Sequence, residues 1–420
     1  MRAHWFLAVS TLSLFFCARF ALLQDGGSTQ NTPANQSGTP VEIPLATASR
    51  IERAKNSWWP TKKAQAREDF AGNKACRSCH SEKTASQVTT PMAQAASTVT
   101  AAKILRAHPS MTATRGKFTY AIAQTPDDVI YSVSDGDNRL SAAILWAFGV
   151  ANKGQTYIYE KGGEYFESEM SYYAAIPGLD VTTGHEQKRP ENLEEALGTL
   201  QDSPAAQKCF ACHTTGATTV RGGFDPRNAT PGVTCEACHG PGGAHVILMQ
   251  QLQGEEALAG NLQVLNPRSL SPIASVDFCG ACHRTWADVY EMQVGVTGPV
   301  NSRFQPYRLE NSKCWGEGDA RLTCVSCHDP HQQLRHEAAA YDQKCLACHP
   351  VKKAMPAAAA KPFAAAKLSA AGAPRIAKAC PVATTKCVGC HMLKVNVAVM
   401  HSDFTDHRIR IVRKGELYPN

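Results

Sequence analysis

The sequence contains few aromatic residues, and several common catalytic signatures are missing from it. Phe, Trp and Tyr make up 7% of the 420 residues, so we expect something other than aromatic side chains to fill much of the interior. The glycine-rich segment 240–243 lacks the Gly-Lys-Ser/Thr of a phosphate-binding loop. Neither a His-Glu-x-x-His zinc signature nor a hydrolase nucleophile elbow is present. The sequence therefore gives no support for an NTPase, a zinc protease or an α/β-hydrolase.

Long apolar runs are also scarce, and the one at the N-terminus bears on where in the cell the protein is located. Arg2 precedes an apolar run at residues 5–17, which is too short to span a bilayer comfortably. We predict that residues 1–23 form a signal peptide or an N-terminal membrane anchor, two alternatives that stay open because Arg19 interrupts the small-residue pattern of a cleavage site. Residues 24–57, rich in Gln, Asn, Thr, Ser, Gly and Pro, are predicted to be a flexible linker. The protein is thus expected to be exported, periplasmic in a bacterium, with a tether to the membrane as an alternative.

Cysteine, in contrast, is abundant and regularly placed. The chain has 17 Cys and 15 His, and fourteen of the Cys lie in seven copies of Cys-x-x-Cys-His. In chain order, motifs 1 to 7 are Cys76/Cys79/His80, Cys209/Cys212/His213, Cys235/Cys238/His239, Cys279/Cys282/His283, Cys324/Cys327/His328, Cys345/Cys348/His349 and Cys387/Cys390/His391.

The spacing of this motif suits the covalent attachment of haem. Positions i, i+3 and i+4 share one face of a helical turn, so two thiols can meet the two vinyl groups of one haem while the His ligates its iron. Zinc sites also pair Cys-x-x-Cys units, but they do not need a His directly after each. Dithiol oxidoreductases normally carry a single such motif. Seven copies therefore predict seven c-type haems, whose porphyrins would supply buried apolar area.

Seven further His follow the leader, as many as the predicted haems. They are His108, His185, His245, His331, His336, His401 and His407. His245 and His331 follow the His of the preceding motif by six and three residues, too closely to reach the opposite face of the same porphyrin. We predict that each ligates the iron of a neighbouring haem.

The other spare His differ in how well they suit a second axial position. His407 and His185 are predicted to be iron ligands, whereas His401 and His108 are left open and His336 is expected to be exposed. Met92 follows His80 by twelve residues, long enough to loop over the first haem, so a thioether ligand there is an alternative to core packing.

The formal net charge of +7 does not indicate a nucleic-acid partner. Each haem brings two propionates, so seven haems would add more negative charge than the chain has in excess of positive charge. The basic residues are expected to offset propionates, and the expected partners are redox proteins.

The spacing of the motifs divides the chain. Cys76 and Cys209 are 133 residues apart, a domain-sized gap, within which residues 117–133 and 154–173 alternate apolar and polar side chains, as antiparallel strands do. Asp135-Gly136 and Gly162-Gly163 are predicted turns. Helices are predicted at 191–201 and 337–348, and residues 351–379 are predicted to be a loose Ala/Pro/Lys-rich surface loop.

We therefore predict a mostly α-helical fold with extensive loops around stacked haems. It is α+β overall because of a small antiparallel β-rich insertion between motifs 1 and 2. The predicted segments are a first haem-binding segment at 58–100, the β-rich insertion at 101–185, a six-haem core at 186–412 and a tail at 413–420.

Several of these segments resemble the multihaem cytochromes of the cytochrome c-552/554 family. The segments that carry the resemblance are 75–80 with 91–95, 232–242, 324–331, and 387–394 with 404–408. The resemblance implies a protein that carries single electrons, with other cytochromes or a quinol-oxidising membrane complex as partners. The alternative that it implies is an oxidoreductase acting on a small nitrogen compound, of the nitrite or hydroxylamine type, at one five-coordinate haem. We assign no catalytic residue, and our prediction favours the electron carrier over the enzyme.

Overall fold

A computed structural model of the chain describes residues 66–217, 224, 226–252, 262–291, 298–315, 319–349 and 380–413. The predicted leader at 1–23, the linker at 24–57, the loop at 351–379 and residues 414–420 lie outside these ranges. None of the helices within the described ranges combines the length and the apolar character that a bilayer crossing requires.

The largest element is a ten-stranded antiparallel sheet. Its strands are β1 (Ala96–Thr98), β2 (Ser110–Arg115), β3 (Phe118–Gln124), β4 (Val129–Ser134), β5 (Arg139–Phe148), β6 (Gly154–Lys161), β7 (Glu164–Ser168), β8 (Met170–Tyr173), β9 (Gly178–Val181) and β10 (Gly198–Gln201). The strand order is β10-β7-β6-β5-β4-β3-β2, with β1 paired to β5 and β8 paired to both β6 and β9.

The prediction of a mostly α-helical fold with a small β-rich insertion is wrong. The sheet runs from residue 96 to residue 201, beyond both ends of the predicted insertion at 101–185. Several of its strands do not alternate in burial: all four residues of β8 are buried, and three consecutive residues of β4 are buried. A strand covered on both faces lacks the alternating pattern by which strands are recognised, so the sequence shows fewer strands than the fold contains.

Both predicted turns are confirmed. Gly162 and Gly163 join β6 to β7 as a two-residue hairpin loop, and both have positive φ (65° and 86°), as a type I′ turn requires. At the β4–β5 turn, Asp135 Oδ1 accepts hydrogen bonds from the backbone N–H groups of Asp137 (3.2 Å) and Asn138 (2.9 Å). These side-chain-to-backbone bonds fix the turn locally.

The helix predicted at 191–201 is half helix and half strand. Asn192 caps a helix at Leu193–Leu197 by accepting from the backbone N–H of Glu195 at 2.9 Å. The chain then enters β10, where a Cβ on Gly198 would lie 2.3 Å from the carbonyl oxygen of Glu167 on β7. Only glycine allows this close approach, so the helix ends where the strand pairing begins.

The sheet has a core made of its own side chains. Tyr120, Tyr131, Tyr157 and Tyr159 are fully buried within it, together with aliphatic residues from most strands. A second cluster joins the sheet to the helix of motif 2, where Phe210 makes edge contacts with Trp146 and Phe148 at ring-centroid distances of 5.4 and 4.8 Å.

The motifs themselves lie on short helices. In the described ranges the α-helices are α1 (Gly72–Cys79), α2 (Ser81–Gln87), α3 (Lys103–Ala107), α4 (Leu193–Leu197), α5 (Ser203–His213), α6 (Cys235–His239), α7 (Gly243–Gln251), α8 (Pro272–His283), α9 (Trp286–Glu291), α10 (Gln305–Glu310), α11 (Cys324–Cys327), α12 (Asp342–Leu346) and α13 (Val388–His391). The 3₁₀ helices are Arg67–Asp69, Val99–Ala101, Pro226–Asn228, Pro267–Ser269, Gly298–Arg303, Ala320–Leu322, Ala338–Tyr341 and Ala398–Met400.

Strand pairs are few in this helical part. Thr214–Thr215 (β11) pairs with Thr230–Pro231 (β12), and Lys394–Val397 (β13) pairs with Ser402–Thr405 (β14). Among the described residues, its own apolar cluster has three buried members, Val276, Leu309 and Trp315. Much of the apolar interior that such a region needs is not supplied by its own side chains.

Candidate haem-binding sites

In the described motifs, a helical turn brings the two Cys and the His together. The backbone N–H of the motif His donates to the carbonyl of the first Cys in motifs 1, 5, 6 and 7, at 2.8, 2.8, 3.0 and 3.1 Å. This i to i+4 bond closes one turn and places the three side chains on one face. The local geometry is the one that attachment of a single porphyrin requires.

The fourteen Cys predicted to attach haem differ in how far the protein encloses them. Two of them, Cys79 of motif 1 and Cys390 of motif 7, are exposed. The other twelve are half-buried, namely Cys76, Cys209, Cys212, Cys235, Cys238, Cys279, Cys282, Cys324, Cys327, Cys345, Cys348 and Cys387. The repeat predicts seven equivalent motifs, whereas the structure distinguishes the second Cys of motifs 1 and 7 from the rest.

The second Cys of motifs 6 and 7 is placed mainly by its own backbone. The N–H of Cys348 donates to the carbonyl of Cys345, and the N–H of Cys390 to that of Cys387, both at 3.1 Å. These i to i+3 bonds tighten the turn, as is common in short helices. Cys348 lies close to Arg321, while Cys390 faces solvent. Attachment of haem at Cys348 and Cys390 therefore stays a prediction from the motif.

Three motif His lie opposite a second His from elsewhere in the chain. The ring centroids are 6.4 Å apart for His80 and His245 and 6.1 Å apart for His239 and His331. For His328 and His407 the separation is 6.2 Å. Imidazole nitrogens bind metals at about 2 Å, so two rings on opposite sides of one metal ion have centroids about 6 Å apart. These separations fit axial ligation of one iron by each pair.

Each pair joins a motif to a His that follows a different motif. His245 follows motif 3 and lies opposite His80 of motif 1, while His331 follows motif 5 and lies opposite His239 of motif 3. His407 follows motif 7 and lies opposite His328 of motif 5. The sequence predicted a neighbouring haem for His245 and His331 without naming it, and left the second ligand of the first haem open.

Hydrogen bonds to the second ring nitrogen fix the tautomer of five of these candidate ligands. Nδ1–H donates to a backbone carbonyl in His213 (Ala95, 3.0 Å), His239 (Leu265, 2.7 Å), His245 (Leu262, 2.7 Å), His391 (Arg410, 2.8 Å) and His407 (Thr405, 2.9 Å). A carbonyl oxygen can only accept, so the proton is on Nδ1 and the lone pair is on Nε2. This is the arrangement typical of a metal-ligating His.

Burial also keeps several of these rings neutral, which is the form that binds a metal. Desolvation lowers the pKa of His213, His239, His283 and His328 below the usual histidine value. For His407, burial lowers the pKa to about 4, against a smaller opposing effect of the hydrogen bond to Thr405. The residues present thus fit haem iron at the three paired sites.

Two carboxylates hold motif helices at their N-termini. Glu236, buried inside motif 3, accepts from the backbone N–H groups of Ala71 (2.7 Å) and Gly72 (2.9 Å) at the start of the motif 1 helix, and from Gly242 (2.8 Å). Asp342 precedes motif 6 and accepts from the N–H groups of Lys386 (2.8 Å) and Cys387 (2.9 Å) of motif 7. The hydrogen bond from Cys387 has the larger effect and the one from Lys386 the next, and both lower the pKa of Asp342. Each acid satisfies orphan N–H groups of a partner helix and favours the helix dipole.

A buried ion pair fixes the loop of His407. Arg308 Nε and Nη2 donate to the two carboxylate oxygens of Asp406 at 2.8 and 3.0 Å, and both side chains are almost fully buried. Asp406 precedes His407 directly, so this bidentate pair orients the loop that presents the ring. Sequence reasoning missed Glu236, Asp342 and Arg308, because each acts on a segment far away along the chain.

His185 has a different environment. It is buried in the sheet, where Nδ1 lies 2.8 Å from Glu169 Oε2 and Nε2 lies 3.2 Å from Thr199 Oγ1. Burial lowers its pKa, but hydrogen bonds with Glu167 and Glu169 outweigh burial and raise the pKa to about 8. Within the described part of the chain, no motif His lies against its ring. Because both ring nitrogens have protein partners, we leave His185 out of the ligand set proposed below.

The remaining spare His are not paired with a motif His among the residues that the structure describes. His108 lies against Tyr172 with ring centroids 5.2 Å apart, and His401 Nε2 is 2.8 Å from Asp180 Oδ2. His336 is exposed, as expected. Met92, the other candidate ligand, is held by its backbone, whose carbonyl accepts from the N–H of Val233.

Three motif His have other near neighbours. The ring of His213 stacks on Phe148 at 4.9 Å with an interplanar angle of 6°, and His283 is hydrogen-bonded to the Gln305 side chain. His349 ends its motif in an exposed position.

Two Cys after the leader lie outside the seven motifs. They are Cys314 and Cys380, and both are free and exposed.

Comparison with known proteins assigns a class to part of the chain. Residues 169–240 match the family model for cytochrome c554 and c-prime, and this segment contains motifs 2 and 3. The match identifies a multihaem c-type cytochrome domain and implies c-type haems.

The other two comparisons add little. Among solved structures, the outer cell wall cytochrome OcwA is similar at 19% sequence identity over 51% of this chain, with a TM-score of 0.29. The similarity spans 37% of the length of that chain. No curated protein sequence matches this chain.

Proposed function

We propose that this protein is an exported c-type cytochrome that carries single electrons along seven covalently attached haems. The observation that carries the proposal is the set of three His pairs, His80–His245, His239–His331 and His328–His407, at ring separations of 6.1–6.4 Å. A haem with both axial positions filled exchanges an electron with little rearrangement of its ligands. Such a haem has no open site for a substrate.

The chain's own residues support this role. Backbone carbonyls hold the tautomer of His239, His245 and His407, one member of each pair. Burial lowers the pKa of His239, His328 and His407, which favours the neutral ring that binds iron. The haem, when attached, supplies the one-electron couple of its iron. The proposed ligands are the seven motif His with His245, His331 and His407.

Export and partners are part of the same proposal. The apolar leader at residues 1–23 supports passage out of the cytoplasm, by a cleaved signal or by an anchor. Redox proteins, either other cytochromes or a quinol-oxidising membrane complex, are the proposed partners.

One observation favours the second candidate, an oxidoreductase of nitrite or hydroxylamine type. Asn301 Oδ1 and Arg303 Nε, on the segment that precedes α10, are buried and have no hydrogen-bond partner among the described residues, while Gln305 at the start of α10 is hydrogen-bonded to His283. The Arg303 N–H could donate to a small anion, and the Asn301 oxygen could accept from hydroxylamine, at an open haem.

Low-temperature EPR of the ferric protein, combined with assays on nitrite and hydroxylamine, distinguishes the two functions. We expect low-spin signals from the paired haems and electron exchange with a cytochrome or an electrode, without turnover of either compound. A high-spin haem together with many cycles of turnover per second would replace our proposal by the second candidate.

A further inference from the structure

The helix that carries motif 4 occupies the centre of the haem-binding region. α8 packs against α5 of motif 2 and α11 of motif 5, and also against α10. The Sγ atom of Cys212 in motif 2 donates to the carbonyl of Ala281, inside motif 4, at 3.6 Å. Motif 4 therefore has direct neighbours on more than one side.

The sulfur atoms of motif 4 interact with those of three other motifs. The Cys282 thiol is hydrogen-bonded to Cys212 of motif 2, and the Cys279 thiol to Cys324 of motif 5. Cys238 of motif 3 is near enough to Cys279 for an electrostatic interaction. With haem attached at these motifs, each sulfur would be bonded to a porphyrin, so sulfurs that lie close together would place porphyrins close together.

Motifs 1, 6 and 7 are joined to motif 4 through motifs 3 and 5. Motif 1 meets motif 3, since the Cys76 thiol is hydrogen-bonded to Cys235 and Glu236 holds the start of α1. Motif 5 meets motif 6, because the His328 and Tyr341 rings are 5.5 Å apart and Cys327 lies beside Cys345. Motif 6 meets motif 7 through Asp342.

We propose that the haem of motif 4 is the branch point of a forked electron path. One arm leads to motif 2, a second to motifs 3 and 1, and a third to motifs 5, 6 and 7. His331, which follows motif 5 and lies opposite His239, also joins motif 3 to motif 5. The inference rests on the proposed electron-carrier function and adds the route. A path that followed the chain order would join motif 1 to motif 2 and would place motif 3 between motif 2 and motif 4. The contacts instead join motif 1 to motif 3 and motif 2 to motif 4.

The fork predicts which haems an electron passes on its way from motif 2 to motif 7. Electrons on this route pass motif 4 but not motif 3, whereas in a path ordered by sequence they pass both. A thiolate ligand is anionic and stabilises ferric iron, so it lowers the potential of a haem, and His283→Cys makes the haem of motif 4 a barrier on this route. His239→Cys makes the matched barrier at motif 3, which lies off this route in the fork.

The experiment uses the full-length, haem-loaded protein with Cys314 and Cys380 replaced by Ser. A photoactive ruthenium donor is attached at Lys208→Cys, beside motif 2, and an electron acceptor at Val382→Cys, beside motif 7; both positions are exposed. Transient absorption follows the arrival of electrons at the acceptor. We expect His283→Cys to slow arrival about tenfold or more, which for one electron corresponds to a barrier about 59 mV high, and His239→Cys to change it less than about twofold.

Each outcome decides the question. Equal slowing by both barriers, or slowing by His239→Cys alone, overturns the fork while leaving the electron-carrier function in place. Fast arrival in both variants also overturns it. No transfer in the protein that keeps both His contradicts the electron-carrier function itself. If either variant loses its haem by intact mass, the chain of haems is interrupted at that motif, and the same contrast between motif 4 and motif 3 is expected.

Discussion

The sheet and the helices of motifs 4 to 7 bury their interiors in different ways. The main cluster of the sheet has nineteen buried side chains, among them four fully buried Tyr, whereas the described helical part has a cluster of three. In the helical part, the motif Cys and His line the surfaces between short helices and are mostly half-buried or exposed. The sheet therefore has a protein core in the ordinary sense, whereas we propose that attached porphyrins complete the other region.

The largest effect is expected from removing all haem. We expect the chain produced without its leader in the cytoplasm, where it is not loaded, to retain hydrogen-exchange protection in β3 to β6. Residues 272–349 are expected to exchange near the unfolded rate, because the six buried apolar side chains described there cannot offset the chain entropy of that region. They are Val276, Ala287, Val289, Phe304, Leu309 and Trp315. Equal protection in the two regions would remove the distinction drawn above.

The next effect comes from the buried Arg308–Asp406 pair in the helical region. Arg308→Met leaves the Asp406 carboxylate buried without its partner, so we expect a loss of about 3–5 kcal/mol and a high-spin signal from the haem that His407 would ligate. Arg227→Met, which removes an exposed ion pair with Glu160 of the sheet, is the control, with an expected loss under about 1 kcal/mol. Chemical unfolding and EPR measure the two effects, and similar losses in the two variants would refute the assignment.

A smaller effect is expected at motif 1. Glu236→Ala removes three acceptor bonds to backbone N–H groups, two of which belong to the first helix, and should cost about 2–3 kcal/mol. Glu236→Gln keeps one carbonyl acceptor and should lose less. Limited proteolysis near residue 71 should be faster in Glu236→Ala, and unchanged cleavage would show that the carboxylate does not hold this helix.

The smallest effect concerns the sheet and is a dependence on pH. The folded-state pKa of His185 is about 8, above its usual 6.5, so protonated His185 stabilises the fold fully below pH 6.5 and the contribution is lost as the pH rises through about 8. The shift corresponds to roughly 2 kcal/mol. Because amide exchange itself accelerates with pH, the rates are divided by those of the unfolded chain at each pH. The resulting protection of the sheet amides should fall between these pH values in the natural protein and not in His185→Gln. An identical pH profile in both proteins would contradict the charge state assigned to His185.

Turns that depend on neighbouring residues could be predicted from the sequence, whereas contacts between distant segments could not. The helical turn of each described motif and the turns at Asp135 and Gly162 depend on neighbouring residues, and the structure has them. The ten strands were underestimated, because β8 is buried along its whole length and β10 follows directly on α4. The N–H groups that Glu236 caps lie about 165 positions away along the chain, which no local pattern reveals.

The site shows the same limit. Short spacing indicated that His245 and His331 could not serve their own motifs, but tertiary packing decides that they lie opposite His80 and His239. For His185 the sequence showed a spare histidine, and the two carboxylates of the sheet beside it, buried Glu169 and half-buried Glu167, are not adjacent to it in sequence.

Exposure of the motif Cys is likewise a tertiary property. The repeat makes Cys348 and Cys390 equivalent positions, yet Cys348 is half-buried and Cys390 is exposed. Local spacing sets which side chains share a turn, whereas the segments that pack over the turn set how much of each thiol is covered.

The central claim is that porphyrins complete the helical region, which requires every motif to be loaded. Intact mass spectrometry of the exported protein under denaturing, reducing conditions tests this most directly. The account predicts the mass of the polypeptide plus seven haems, with none removed by acid-acetone extraction. A mass with four haems or fewer in the folded, exported protein would contradict it.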